Sequence, residues 1–156
     1  MTAVFPIKDH TDSESDSWCT AREIALAVGY FGTDPCSNAH SHIRSLRRYC
    51  LPDDGLALPW IGSVWCNPPY SRPLPWALRL AAHTGPWVAL VKLDPTTQWY
   101  RVLTASCTGV ANFRVRIKFE RPGKAPLTAN FPSILFWRDW DPPVALRPML
   151  WLGDRV

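Results

Sequence analysis

The run Trp87-Val88-Ala89-Leu90-Val91-Lys92-Leu93 constrains the fold more than any other segment. Its apolar residues follow one another without alternation, so both faces of a strand built from them must be covered. That pattern belongs to a central parallel strand. The segments around it alternate between strand and helix character. Thr20 and Glu23 fit a capping box that starts a helix over Ala21 to Val28, ended by Gly29. Tyr30 to Thr33 reads as a short strand, and 36–50 as a loop running into a basic helix. Gly55 to Gly62 is rich in turn residues and leads to a strand at Ser63 to Cys66. Helices are expected over Pro73 to His83 and Thr96 to Ser106, then strands over Val110 to Arg114, Arg116 to Phe119 and Ser133 to Trp137. The 120–132 segment is a loop long enough to be functional. The order implies an α/β fold: an open, mostly parallel sheet with helices on both faces and an antiparallel C-terminal strand.

A chain of 156 residues suits one domain. Residues 1–17 form an acidic, Ser-rich segment that reads as disordered and has no signal-peptide pattern, which leaves 18–156 as the domain. No run of 18 apolar residues is present, so no membrane span is expected. Seventeen basic and thirteen acidic residues give a formal charge of +4. The first 17 residues hold one base, Lys8, and four acids, Asp9, Asp12, Glu14 and Asp16. The remainder therefore carries 16 bases against 9 acids, or +7. A basic body favours a polyanionic partner without naming it.

The five cysteines form no Cys-x-x-Cys pair and read as free thiols of a cytosolic protein. Cys36, His40, His42 and Cys50 match no common structural zinc spacing, so no metal is expected. His83 and His10 have no partner pattern that supports catalysis.

Chemistry concentrates at Asn67-Pro68-Pro69-Tyr70, directly after the 63–66 strand. Ligands of open α/β sheets bind at the C-terminal ends of strands. Two prolines stiffen the loop, and Asn67 and Pro68 each precede a proline and are pushed to extended geometry. Two backbone carbonyls are then without local partners. The Asn67 side-chain oxygen and the Pro68 carbonyl can converge on one amino group, with Tyr70 as a flat, exposed stacking face. Two acceptors that hold both N–H bonds out of plane would free the lone pair of a conjugated nitrogen. A sulfonium donor such as S-adenosylmethionine, held in line, could then be attacked. The bland reading of the same tetrad is a proline-rich turn.

Taken together, several segments resemble one family, the phage-type DNA N6-adenine methyltransferases related to the Dam class. Trp18-Cys19-Thr20-Ala21 looks like the family's Trp-x-Thr-Pro. Asp34-Pro35-Cys36-Ser37-Asn38 looks like the segment that closes its first strand beside the cofactor. Asp54-Gly55-Leu56, Trp60 and Trp65 through Ser71 resemble its catalytic block. Trp76, Thr97-Gln98-Trp99-Tyr100 and Arg116-Ile117-Lys118-Phe119 resemble its downstream pattern. The resemblance implies a Rossmann-like S-adenosylmethionine enzyme acting on DNA in the cytoplasm of a bacterial or phage-infected cell. It implies a catalytic set of Asn67, Pro68, Pro69 and Tyr70, with Asn67 and Pro68 gripping the amine and Tyr70 stacking on the base. It places Asp34, Pro35, Trp18, Thr20 and Asn67 around the cofactor. Two departures stand out: Ala21 replaces the proline, and 34–39 contains no glycine.

Adenine's N6 amine lies within the base stack, so base flipping is expected, with an apolar wedge from the 120–132 loop. Arg114, Arg116, Lys118, Arg121 and Lys124 alternate across a strand and loop and are expected phosphate contacts. Arg44, Arg47 and Arg48 read as a solvated helix face, and Asp94 equally as pocket lining or as structural. The chain has no room for a target-recognition domain, so specificity must come from short loops, from a second copy, or be weak. Two other readings stay open: methylation of another conjugated nitrogen (an RNA base or a protein glutamine), and a catalytically silent nucleic-acid-binding module.

Overall fold

The structure is a computed structural model that describes residues 18–152; the acidic 1–17 segment lies outside the described residues. In chain order the elements are β1 (Cys19–Thr20), α1 (Arg22–Val28), β2 (Tyr30–Ser37), β3 (Arg44–Cys50), β4 (Val64–Cys66), α2 (Leu74–Ala82) and β5 (Trp87–Lys92). They continue with α3 (Gln98–Ser106), β6 (Gly109–Phe113), β7 (Lys118–Glu120), β8 (Leu127–Thr128), β9 (Ser133–Arg138), a 3-10 turn (Arg147–Met149) and β10 (Leu150–Trp151). This is a mixed α/β protein.

The main sheet has the order β10-β6-β9-β5-β4-β2-β3. The β2–β3, β2–β4 and β4–β5 pairings are parallel, whereas β5–β9, β6–β9 and β6–β10 are antiparallel. The antiparallel part is thus half of the sheet, more than the single C-terminal strand expected. The run at 87–92 is central, as its composition implied. Its residues alternate between two cores. Val88 and Leu90 join Ile24, Ala25 and Val28 of α1, with Trp65 and Leu135. Trp87, Ala89 and Val91 join Trp76 and Leu80 of α2, Leu103 of α3 and Phe136. A strand with apolar side chains pointing both ways needs both partners.

Two local expectations are corrected. The capping box does not form: the N-cap of α1 is Ala21, with no side-chain cap. Thr20 pairs with Phe119 in β1–β7 instead, which turns its hydroxyl away from the helix start. The basic helix within 36–50 is absent too, because Arg44 to Cys50 forms β3. Tyr30 pairs with Arg44, so residues 38–43 must return the whole length of β2. Extended chain rises about 3.3 Å per residue and can do this, whereas a helix rises only about 1.5 Å. The arginines then line an edge strand, where charge discourages further pairing.

The connection from β2 runs to β3 on one side, and β4 lies on the other. The strand order therefore reverses between β2 and β4, and their C-terminal ends open a crevice there. A second, three-stranded antiparallel sheet, β1-β7-β8, stands beside that crevice.

Candidate active site

The crevice is a cleft of about 890 Å³, lined by all eight residues read from the sequence as catalytic or cofactor-binding. They are Trp18, Thr20, Asp34, Pro35, Asn67, Pro68, Pro69 and Tyr70. A cleft of this size can hold a nucleoside-sized ligand together with a base.

The tetrad is held from two sides. The Cys36 thiol donates to the Asn67 carbonyl at 2.8 Å, and the Asn67 Nδ2 donates to Thr20 Oγ1 at 3.4 Å. The Pro69 carbonyl accepts from the Arg72 N–H at 3.2 Å. Of the two carbonyls expected to lack partners, that of Asn67 is therefore satisfied by a thiol the sequence did not point to. Neither Asn67 Oδ1 nor the Pro68 carbonyl oxygen accepts a hydrogen bond among the described residues. The neighbouring Cys66 thiol and burial push the Cys36 thiol well up, so it remains a neutral donor.

Tyr70 is half-buried rather than exposed. Its ring meets Phe131 edge-on at 5.2 Å and Phe119 at 6.4 Å, so aromatic packing from β7 and the segment before β9 covers part of it. Its hydroxyl is buried without a partner, and burial holds its pKa above the ordinary phenol value. The Lys92 ammonium lies 4.9 Å from the Tyr70 ring centre and 4.6 Å from that of Phe131.

At the other end of the cleft sits Asp34, 2% exposed. Burial pushes its pKa up to about 7, partly offset by the Ser37 hydroxyl, then by Arg48 and the Cys36 N–H. The Ser37 hydroxyl faces this carboxylate without reaching hydrogen-bonding geometry, and remains a buried unpartnered group. Pro35, also buried, supports Gly55: a Cβ there would lie 1.7 Å from the Pro35 carbonyl oxygen. Gly55, on another loop, thus packs directly on the Pro35 backbone beside the cleft. Arg79 of α2 holds that loop by donating to the carbonyls of Gly55, Leu56 and Leu58.

The basic candidates do not form one row. Arg114 donates to the Leu150 carbonyl at 2.9 Å and covers Trp151, at the far edge of the sheet. The chain bends after β6, so Arg116 and Lys118 emerge elsewhere, exposed and outside the cleft lining. Arg121 and Lys124 lie at the tip of the β7–β8 hairpin and line a hollow of about 320 Å³. His40 and His42 line it as well, and His42 pairs with Glu120 at 3.0 Å. Asp94 is structural: its carboxylate accepts from the Thr96 hydroxyl at 2.6 Å, before α3.

Sequence reasoning passed over Lys92 and Phe131 as functional positions. It named Cys36 and Gly55 only within matched segments, or for Cys36 in a zinc set that was set aside, with no role in the cleft. Lys92 carried a signal, a lone charge within an otherwise apolar strand. The other three reach the cleft only through pairing between distant segments.

A family model described as DNA N-6-adenine-methyltransferase (Dam) matches residues 8–148. A similar protein is the DNA N-6-adenine-methyltransferase of Haemophilus phage HP1 (strain HP1c1). It is 31% identical over 137 residues, which span 79% of this chain and 78% of the relative.

Proposed function

The chain belongs to the DNA N-6-adenine-methyltransferase (Dam) family, and from that premise we propose that it methylates adenine N6 in DNA with S-adenosylmethionine as donor. In this reading the target amine donates its two N–H bonds to Asn67 Oδ1 and the Pro68 carbonyl. The observation that carries it is that these two oxygens accept no other hydrogen bond among the described residues, on the cleft that also holds Asp34.

The residues at the Asp34 end fit the cofactor. Asp34 is a buried carboxylate able to accept from ribose hydroxyls. Ser37 is an unpartnered hydroxyl, and a buried polar group without a partner calls for one from a ligand. Trp18 and Pro35 supply apolar walls. When bound, S-adenosylmethionine supplies a methyl group on a sulfonium. The protein's part is orientation and electrostatics. Thr20 fixes the Asn67 amide so that its oxygen is left for the amine. Cys36 fixes the Asn67 backbone, and Tyr70 offers a ring held by Phe119 and Phe131. No strong general base is needed, because the nitrogen becomes acidic only after methylation.

Base flipping costs a few kcal/mol in unstacking. The β7–β8 hairpin supports that step: Leu127 on β8 is 57% exposed, lines the cleft and serves as the wedge. Arg121 and Lys124 at the hairpin tip would contact phosphates. The two apolar cores flanking β5 support helices on both faces of a Rossmann-like sheet. DNA is the partner and the cytoplasm the place of action; among the described residues no helix is long and apolar enough to cross a membrane.

Labelled S-adenosylmethionine and DNA lacking N6-methyladenine test the reading, with nucleoside analysis of the product. We expect labelled N6-methyladenine, lost in Asn67→Ala; no label with the wild type overturns it. RNA and glutamine peptides as acceptors in the same assay separate the other conjugated nitrogens.

A further inference from the structure

Lys92 is the last residue of β5 and projects to the same face as Val88 and Leu90, where Tyr70 and Phe131 also pack. Its backbone is fixed, since it pairs with Ser133 and the next N–H donates to the Pro132 carbonyl at 2.9 Å. The side chain is half-buried and lines the catalytic cleft. Two aromatic rings shield the ammonium, at 4.9 and 4.6 Å. Among the described residues no carboxylate pairs with it.

Resting on the methyltransferase reading above, we propose that Lys92 is a phosphate-binding residue of this cleft, holding a backbone phosphate of the target nucleotide once its base has left the stack. The two rings attract the ammonium but carry no net charge, so an anion entering the cleft is the partner that would neutralise it. A base nitrogen would return one hydrogen bond and leave the charge standing, whereas a phosphate returns both. Lysine suits this task as a point charge. The location is specific because Tyr70 belongs to the tetrad that grips the amine. An anion at Lys92 therefore lies within one nucleotide of the base stacked on that ring. The site is electrostatically complete only when extruded nucleotide and backbone are both seated, which ties base capture to correct placement of the strand.

The test is steady-state methylation of DNA from a host without adenine methylation, at several NaCl concentrations. Wild type is compared with Lys92→Met, Lys92→Gln and Lys92→Arg. For Met and Gln we expect KM for DNA to rise about tenfold with kcat changed by less than about threefold, and the slope of log KM on log salt to fall by about 0.9, one phosphate contact. Lys92→Arg should keep the wild-type slope. Calorimetry with S-adenosylmethionine alone should give the same affinity in all four proteins. An unchanged slope overturns the proposal, and joined with a loss of adenine preference over cytosine it assigns Lys92 to the base instead. If Lys92→Met does not fold by circular dichroism, the Gln and Arg pair decides by the same slope. If the wild type methylates no DNA, the methyltransferase reading fails by itself, and the slope of DNA binding by anisotropy still decides the role of Lys92.

Discussion

The α-carbon of Gly55 is pressed so closely on Pro35 that a Cβ would stand 1.7 Å from the proline's carbonyl oxygen and 2.8 Å from its carbonyl carbon. Backbone, not a flexible side chain, is the obstacle, so even alanine must displace one loop or the other. We expect Gly55→Ala to cost roughly 1–3 kcal/mol of stability and to weaken S-adenosylmethionine binding more than DNA binding. Thermal melts and calorimetry would show this; unchanged cofactor affinity would remove Gly55 from that wall.

Thr20 and Asn67 provide a second test, through orientation. Thr20→Val keeps the shape but removes the acceptor for Asn67 Nδ2. The amide can then rotate and its oxygen leave the amine. We expect kcat to fall about tenfold with KM for DNA little changed, the pattern of an interaction realised in the transition state. Asn67→Ala should lose nearly all activity. Equal kinetics for Thr20→Val and wild type would separate the two residues.

Asp34 makes stability depend on pH with an unusual sign. Its folded pKa of about 7 lies above the ordinary 3.8, so between those values the folded chain holds a proton that the unfolded chain has released. Its contribution is complete below pH 3.8 and is lost as pH rises to about 7. The full difference is on the order of 4 kcal/mol. We expect denaturation of the cofactor-free protein to show wild type losing stability relative to Asp34→Asn from pH 4 to 7, then running parallel to it. A ligand that donates to the carboxylate should bind more tightly over the same range, and Asp34→Asn should bind S-adenosylmethionine weakly at every pH. A flat difference between the two stability curves would refute the buried carboxylate.

Leu127 tests the wedge. It is exposed, apolar and paired with Phe119, which itself touches Tyr70. We expect Leu127→Ala to slow methylation of duplex DNA about tenfold and to affect the same DNA far less when single-stranded, because an unpaired base needs no wedge. Equal losses on both substrates would assign Leu127 to general binding.

The sequence alone was enough for the α/β class, the central strand and the place of the tetrad, because those depend on local pattern. An apolar strand must be covered, prolines stiffen a loop wherever they stand, and an amide before them keeps its chemistry. Tertiary structure decided what lies across from these residues. Arg44 to Cys50 became a strand because, once residues 38–43 had returned the chain to the start of β2, it paired alongside β2 in parallel. The Thr20 hydroxyl went to Asn67 because β1 pairs with β7. The expected phosphate row divided at the bend after β6, which gave Arg114 to β10 and Arg121 and Lys124 to the hairpin tip. Gly55, Lys92 and Phe131 entered the cleft through contacts between distant segments. Local pattern carries propensity and chemistry, but a partner dozens of residues away is chosen by strand register, and register exists only once the sheet has formed.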